Sequence, residues 1–149
     1  MTERNGKERW AEVRNHSHEL YNVGHMYEAA VAHYKATGKS SFLDVAIKNA
    51  DLIHSVYGPG KRHDAPGHQE IEIGLAKLYR VTGDKKYLDL AKFFLDERGK
   101  TDMRDYSSDD FWENGAYWQD HKPVVEQDEA VGHAVRAVYM YSGMADVAA

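Results

Sequence analysis

The sequence predicts an all-α fold assembled from helical hairpin repeats, on three observations. Apolar residues recur at spacings of three and four along most of the chain, the period of one helix face. One pattern recurs 45 residues later, from Tyr34 to Tyr79, with its Tyr, Thr-Gly, Leu-Asp and Ala positions kept. No stretch of useful length alternates with period two, so strands are not expected.

The helices follow in order. Leu20, Val23, Tyr27, Val31 and Tyr34 mark one apolar face, and Leu43, Ala46, Ile47, Ala50 and Ile53 mark a second. Ile71, Leu75, Leu78 and Thr82 mark a third, and Leu88, Ala91 and Leu95 a fourth. Val131, Ala134, Val135, Val138 and Tyr141 mark a fifth. The three prolines, Pro59, Pro66 and Pro123, fall where these patterns break or begin, as the missing amide proton of proline requires. The segment 99–122 is long and acidic, carries Trp112 and Trp118, and reads as irregular.

The repeat shapes the architecture. Tyr34-Lys35-Ala36-Thr37-Gly38 matches Tyr79-Arg80-Val81-Thr82-Gly83, and Phe42-Leu43-Asp44-Val45-Ala46 matches Tyr87-Leu88-Asp89-Leu90-Ala91. Gly38 and Gly83 are placed just past helix ends, where a left-handed residue closes the last turn cheaply. Each unit is thus an antiparallel hairpin, with Leu43, Ala46, Leu88 and Ala91 expected to be buried between hairpins. Such units stack into an open array of the tetratricopeptide kind or close into an α/α barrel. The helices after each Thr-Gly carry Asp, Lys and Glu on one face and read as outer helices. Those before it open with polar, histidine-bearing sequence, so their ends are expected to converge on a pocket.

Composition narrows the function classes. A chain of 149 residues with 42% hydrophobic and 29% charged residues is ordinary for one globular domain. A formal net charge of −5 argues against a nucleic-acid surface, which needs a basic stripe. No apolar run has the length of a membrane-spanning helix. The first ten residues lack the apolar stretch of a secretory signal, so a cytoplasmic location is expected if Met1 is the native start. With no cysteine, these residues offer neither a thiolate metal site nor a cysteine nucleophile.

The residues that stand out are histidines, nine in all. Three follow a glycine near the beginning of an inner helix: Gly24-His25, Gly67-His68 and Gly132-His133. Glycine admits a close approach, and a neutral imidazole offers one donor and one acceptor to a sugar hydroxyl. Each pair taken singly is equally a helix-packing contact; three at corresponding places point toward a site. His16, His18, His25 and Glu19 supply metal-type donors but no His-Glu-x-x-His pairing, so no metal ligand is assigned. Glu19, Glu70, Glu72, Glu126 and Glu129 are carboxylates by position alone, and none is assigned as acid or base. Tyr21, Tyr27, Trp112 and Trp118 could stack on a sugar ring, although Tyr27 fits the core stripe better.

Several strings together resemble glycoside hydrolase family 127, the β-L-arabinofuranosidase-type enzymes. They are His18-Glu19-Leu20-Tyr21-Asn22-Val23-Gly24-His25, Glu28-Ala29-Ala30-Val31-Ala32-His33-Tyr34, Pro66-Gly67-His68-Gln69-Glu70-Ile71-Glu72 and Gln119-Asp120-His121-Lys122-Pro123-Val124. The most specific is Ala130-Val131-Gly132-His133-Ala134-Val135-Arg136-Ala137. The resemblance implies part of an (α/α)6 barrel and a retaining exo-enzyme that removes terminal L-arabinofuranose. It further implies a zinc-bound cysteine nucleophile and a glutamate acid/base, both from a later stretch than these motifs. What carries over is carbohydrate contact on His18, His25, His68, His121 and His133, with zinc expected only in the full-length enzyme. Alone, the chain is expected to lack catalysis and to self-associate through uncovered barrel faces. A freestanding helical-repeat interaction module is the alternative.

Overall fold

The two Thr-Gly corners are built alike in the computed structural model, which describes residues 9–15, 17–100, 110 and 115–149. Helix α1 (Glu19–Thr37) ends on Gly38 at φ 73°, and α3 (Ile71–Thr82) ends on Gly83 at φ 74°. The Gly38 amide donates to the Tyr34 carbonyl and the Gly83 amide to that of Tyr79, both at 2.8 Å. Thr37 and Thr82 each donate their hydroxyl to the carbonyl four residues back, at 2.7 and 2.8 Å. Each threonine oxygen then accepts the amide two residues ahead at 3.2 Å. The sequence repeat is therefore also a hydrogen-bond repeat, and it turns the chain into α2 (Ser41–Val56) and α4 (Lys85–Glu97).

The helices form two layers. Inner helices α1, α3 and α5 (Ala134–Ala148) lie side by side with α3 in the middle, while α2 and α4 pack on their outer face. Gly24 on α1 and Gly74 on α3 bring the inner helices together: a β-carbon at Gly74 would lie 2.6 Å from the Gly24 carbonyl oxygen. Leu20, Tyr27, Ala30, Ile53, Ile71, Leu75, Leu78 and Phe94 fill the core between the layers. A fully buried side chain of this size contributes about 1.5–3 kcal/mol through removal from water. Tyr27 sits in this core, its hydroxyl donating to Asn49 Oδ1 at 2.7 Å. Among the described residues there is no strand, only an isolated bridge between Tyr57 and Arg62.

Three details depart from the sequence reading. Leu43, Ala46 and Ala91 are buried as expected, but Leu88 is only half-buried; α4 turns Tyr87, Leu90, Ala91 and Phe94 inward instead. Larger side chains at 87 and 94 rotate the buried stripe toward themselves. Helix α5 starts at Ala134, so Val131 precedes it and His133 is its N-cap, where the imidazole accepts the Arg136 amide. On α5 the inward residues are Arg136, Ala137, Met140 and Gly143, whereas Val135, Val138 and Tyr141 are exposed. That stripe meets no partner element among the described residues. Of the segment 99–122, the described part includes a 3-10 turn at Gly115–Trp118; Trp112 lies outside the described residues. No described helix is long and apolar enough to cross a membrane.

Candidate functional site

The three Gly-His pairs occupy different local structures. Gly24-His25 lies in the second turn of α1, Gly67-His68 in the loop before α3, and Gly132-His133 directly before α5. Their glycines differ accordingly. Gly24 leaves room for the Glu70 carboxylate, whose Oε2 would overlap any β-carbon there. Gly132, at φ 76°, lies against the Ala116 carbonyl oxygen and the Gln119 side chain, so a substituent would be both strained and obstructed.

Four of the five singled-out imidazoles nevertheless come together. The rings of His18 and His68 are 5.4 Å apart, and those of His68 and His133 are 6.4 Å apart. Tyr21 joins His25 at 4.6 Å and His68 at 4.2 Å. Tyr139, from α5, closes the group at 5.7 Å from His25, 5.9 Å from Tyr21 and 6.0 Å from His68. His121 stands apart on the loop after the Gly115–Trp118 turn, with no ring contact to this group among the described residues. Trp118 is buried rather than offered to a ligand: the Arg136 guanidinium covers its ring at 4.1 Å.

Buried amides hold the site's loops. Gln69 donates through Nε2 to the Trp118 carbonyl and to Gln119 Oε1, both at 3.0 Å. Gln119 Nε2 donates onward to the Val131 carbonyl at 2.9 Å, joining the loops before α3 and α5. Arg98, at the end of α4, donates to Pro66 and Trp118 carbonyls at 2.6 and 3.2 Å. The loop that presents His68 is thus fixed from two directions, by the Trp118–Gln119 segment and by Arg98. Burial holds the His68 imidazole neutral, with its pKa pushed down to about 4 against the opposing bond from the ring to the Gln69 carbonyl.

The carboxylates divide by role. Glu19 accepts the Trp10 amide and the Ser17 hydroxyl at 3.2 and 3.1 Å, a structural duty at the start of α1. Glu72 turns back to accept the Glu70 amide at 2.9 Å. Glu126 and Glu129 are exposed on the loop before α5. Glu70 is fully buried and points at α1: its Oε1 is 3.4 Å from His25 Nδ1, and Glu28 Oε2 is 3.6 Å from the same nitrogen. Burial, then the neighbouring Glu28, pushes the Glu70 pKa up to about 10, so Glu70 is held protonated near neutrality. Burial alone would raise Glu28 too, but Lys77 and the proton held by Glu70 bring it below the usual carboxylate range.

Two members of this arrangement escaped the sequence reading. Glu28 was findable, because positions 25 and 28 share a helix face. Tyr139 was not, since its direction depends on how α5 is rotated against α3. The metal-type donors also regroup: His25 joins Glu28 and Glu70, with one ligand atom from each within 4.8 Å of the others. His16 lies outside the described residues, and Glu19 is engaged elsewhere.

Stacked hairpins with histidines gathered over their inner helices are the arrangement expected of a segment of an α/α barrel protein. The chain belongs to glycoside hydrolase family 127: the model of the β-L-arabinofuranosidase GH127 catalytic domain matches residues 1–149. A non-reducing end β-L-arabinofuranosidase of Bifidobacterium longum subsp. longum is 43% identical over 145 residues, covering 88% of this chain. The solved structure of a GH127 β-arabinofuranosidase is 64% identical over 97% of the chain with a TM-score of 0.83. That of a GH127 β-L-arabinofuranosidase from Geobacillus stearothermophilus T6 is 46% identical over 97%, at a TM-score of 0.86. The chain spans 22% of the curated relative and 22% and 24% of the two solved chains. Its hairpins accordingly correspond to part of an (α/α)6 barrel, and membership of the family favours that reading over the freestanding interaction module.

Proposed function

We propose that these residues supply the sugar-recognition part of a pocket that takes terminal β-L-arabinofuranosides. The observation that carries the reading is the convergence of His18, His25, His68 and His133 with Tyr21 and Tyr139 at the inner helices. A furanose presents several hydroxyls, and neutral imidazoles and phenols can donate to some and accept from others. The depressed pKa of His68 suits that use, since an uncharged ring keeps an acceptor. His121 is the weakest member of the set, standing outside the ring cluster.

The zinc and cysteine nucleophile implied by family resemblance do not fit these residues, because the chain has no cysteine. No bond-breaking step is assigned to it. Self-association of the isolated chain is part of the same reading, with the exposed stripe of Val135, Val138 and Tyr141 as the contact face.

The test uses the intact enzyme that carries these residues. His68→Ala and His133→Ala should each lower turnover of a terminal β-L-arabinofuranoside roughly ten- to a hundredfold while the fold is retained. Full activity in both variants would overturn the assignment.

A further inference from the structure

We propose that His25, Glu28 and Glu70 form a binding site for a first-row divalent cation of zinc size, held without thiolates. The case begins with Glu70. Its side chain is fully buried, and neither carboxylate oxygen has a hydrogen-bond partner unless a proton bridges it to Glu28. A buried carboxylate so placed needs either a proton or a cation. Its position is enforced, because Oε2 fills the space vacated by the missing β-carbon of Gly24 while Oε1 is turned toward His25.

The donor geometry points to a metal. Glu70 Oε1 and Glu28 Oε2 lie 3.4 and 3.6 Å from His25 Nδ1. Those separations are too long for good hydrogen bonds. They match the roughly 3.3–3.4 Å edge of a tetrahedron whose centre is about 2.0–2.1 Å from each donor, the zinc–ligand distance. The ammonium paired with Glu28 among the described residues, Lys77 Nζ, engages the other oxygen, Oε1, so Oε2 remains for a ligand. One neutral imidazole and two carboxylates would balance a doubly charged ion. The imidazole disfavours calcium and magnesium, which prefer all-oxygen sites.

Loading balances simply: the cation enters, and the proton held by Glu70 leaves to solvent, with no change of oxidation state. Entry is from the His25 and Glu28 side, whose side chains are 40% and 26% exposed. The fourth position is left to water or a ligand hydroxyl next to Tyr21 and Tyr139, whose rings flank His25.

The experiment counts metal in the intact protein and does not rely on turnover. After equilibration with zinc and removal of loosely held ion, the wild type should carry one equivalent more than Glu70→Gln, a near-isosteric change. Cobalt in place of zinc should add visible bands without a new sulfur-to-metal absorption. If Glu70→Gln does not fold, His25→Ala and Glu28→Gln, at partly exposed positions, should show the same one-equivalent loss. Equal zinc content in the wild type and every folded variant overturns the site, as does a cobalt spectrum of thiolate character alone. Because His68 and His133 are not ligands here, failure of the metal test leaves their sugar-contact test standing.

Discussion

Gly24 has the most tightly constrained position in the inner layer. It has ordinary helical backbone, where alanine would be favoured by about 1 kcal/mol on propensity alone. Yet its absent β-carbon is the space in which Glu70 Oε2 sits, and Ile71 Cα would be only 2.7 Å away. Overlap with backbone cannot relax by a rotamer change, so Gly24→Ala should destabilise by about 1–3 kcal/mol net. Gly38 provides the contrast: nothing lies within 4 Å of its missing β-carbon, but its φ is 73°. Gly38→Ala should cost about 1–2 kcal/mol, from left-handed strain alone. Denaturant titration of the two variants checks the distinction: only Gly24→Ala should also displace Glu70, and so abolish the extra zinc equivalent.

At the scale of elements, α5 behaves unlike the other helices. Its inward face is thin: Met140 is buried with Leu95 and Val124, and Gly143 lies against the Glu72 side chain. Met140→Ala should therefore cost about 2–5 kcal/mol, read as a lowered unfolding midpoint. Val138, 58% exposed, carries no such burden. Val138→Glu should change stability by no more than about 0.5 kcal/mol. It should, however, reduce self-association of the 149-residue chain, measured by light scattering against concentration. Aggregation unchanged by this substitution would remove the α5 stripe as the contact face.

The whole molecule divides into an inner layer that carries the rings and an outer layer that carries charge. Lys85–Asp89 and Lys92–Asp96 pairs line exposed α4, each a surface contact worth little on its own. A surface cleft of about 470 Å³ between α2 and α4, lined by His54, Tyr57 and Phe93 among others, lies on this outer side. Its lining lacks the convergent polar rings of the histidine cluster. In the intact enzyme, an L-arabinofuranose analogue should slow amide exchange in the first turns of α1 and in the loops before α3 and α5. Exchange in α2 and α4 should stay unchanged. Protection centred on the α2–α4 cleft would move the sugar site there.

Amino-acid order alone determined the helices, their Thr-Gly corners and the family, because those features are local. A 3.6-residue period, a glycine after the last turn and ordered strings of motif residues need no knowledge of distant contacts. The alternation of inner and outer helices was legible for the same reason, since charged faces accompany α4 and histidines precede α3 and α5. Which faces are buried was less legible. Leu88 lost its expected place to Tyr87, and the apolar stripe of α5 was left in the open, because helix rotation follows the bulk of packed neighbours. The site shows the limit most clearly. Spacing nominated five histidines; contact between inner helices groups four of them with Tyr139 and leaves His121 outside the ring cluster. It also set Glu70 against Glu28 and His25, from segments more than forty positions apart in sequence. Only the close approach of α1 and α3 at Gly24 and Gly74 could bring those groups together, and burial, which no local pattern encodes, then moved the Glu70 proton.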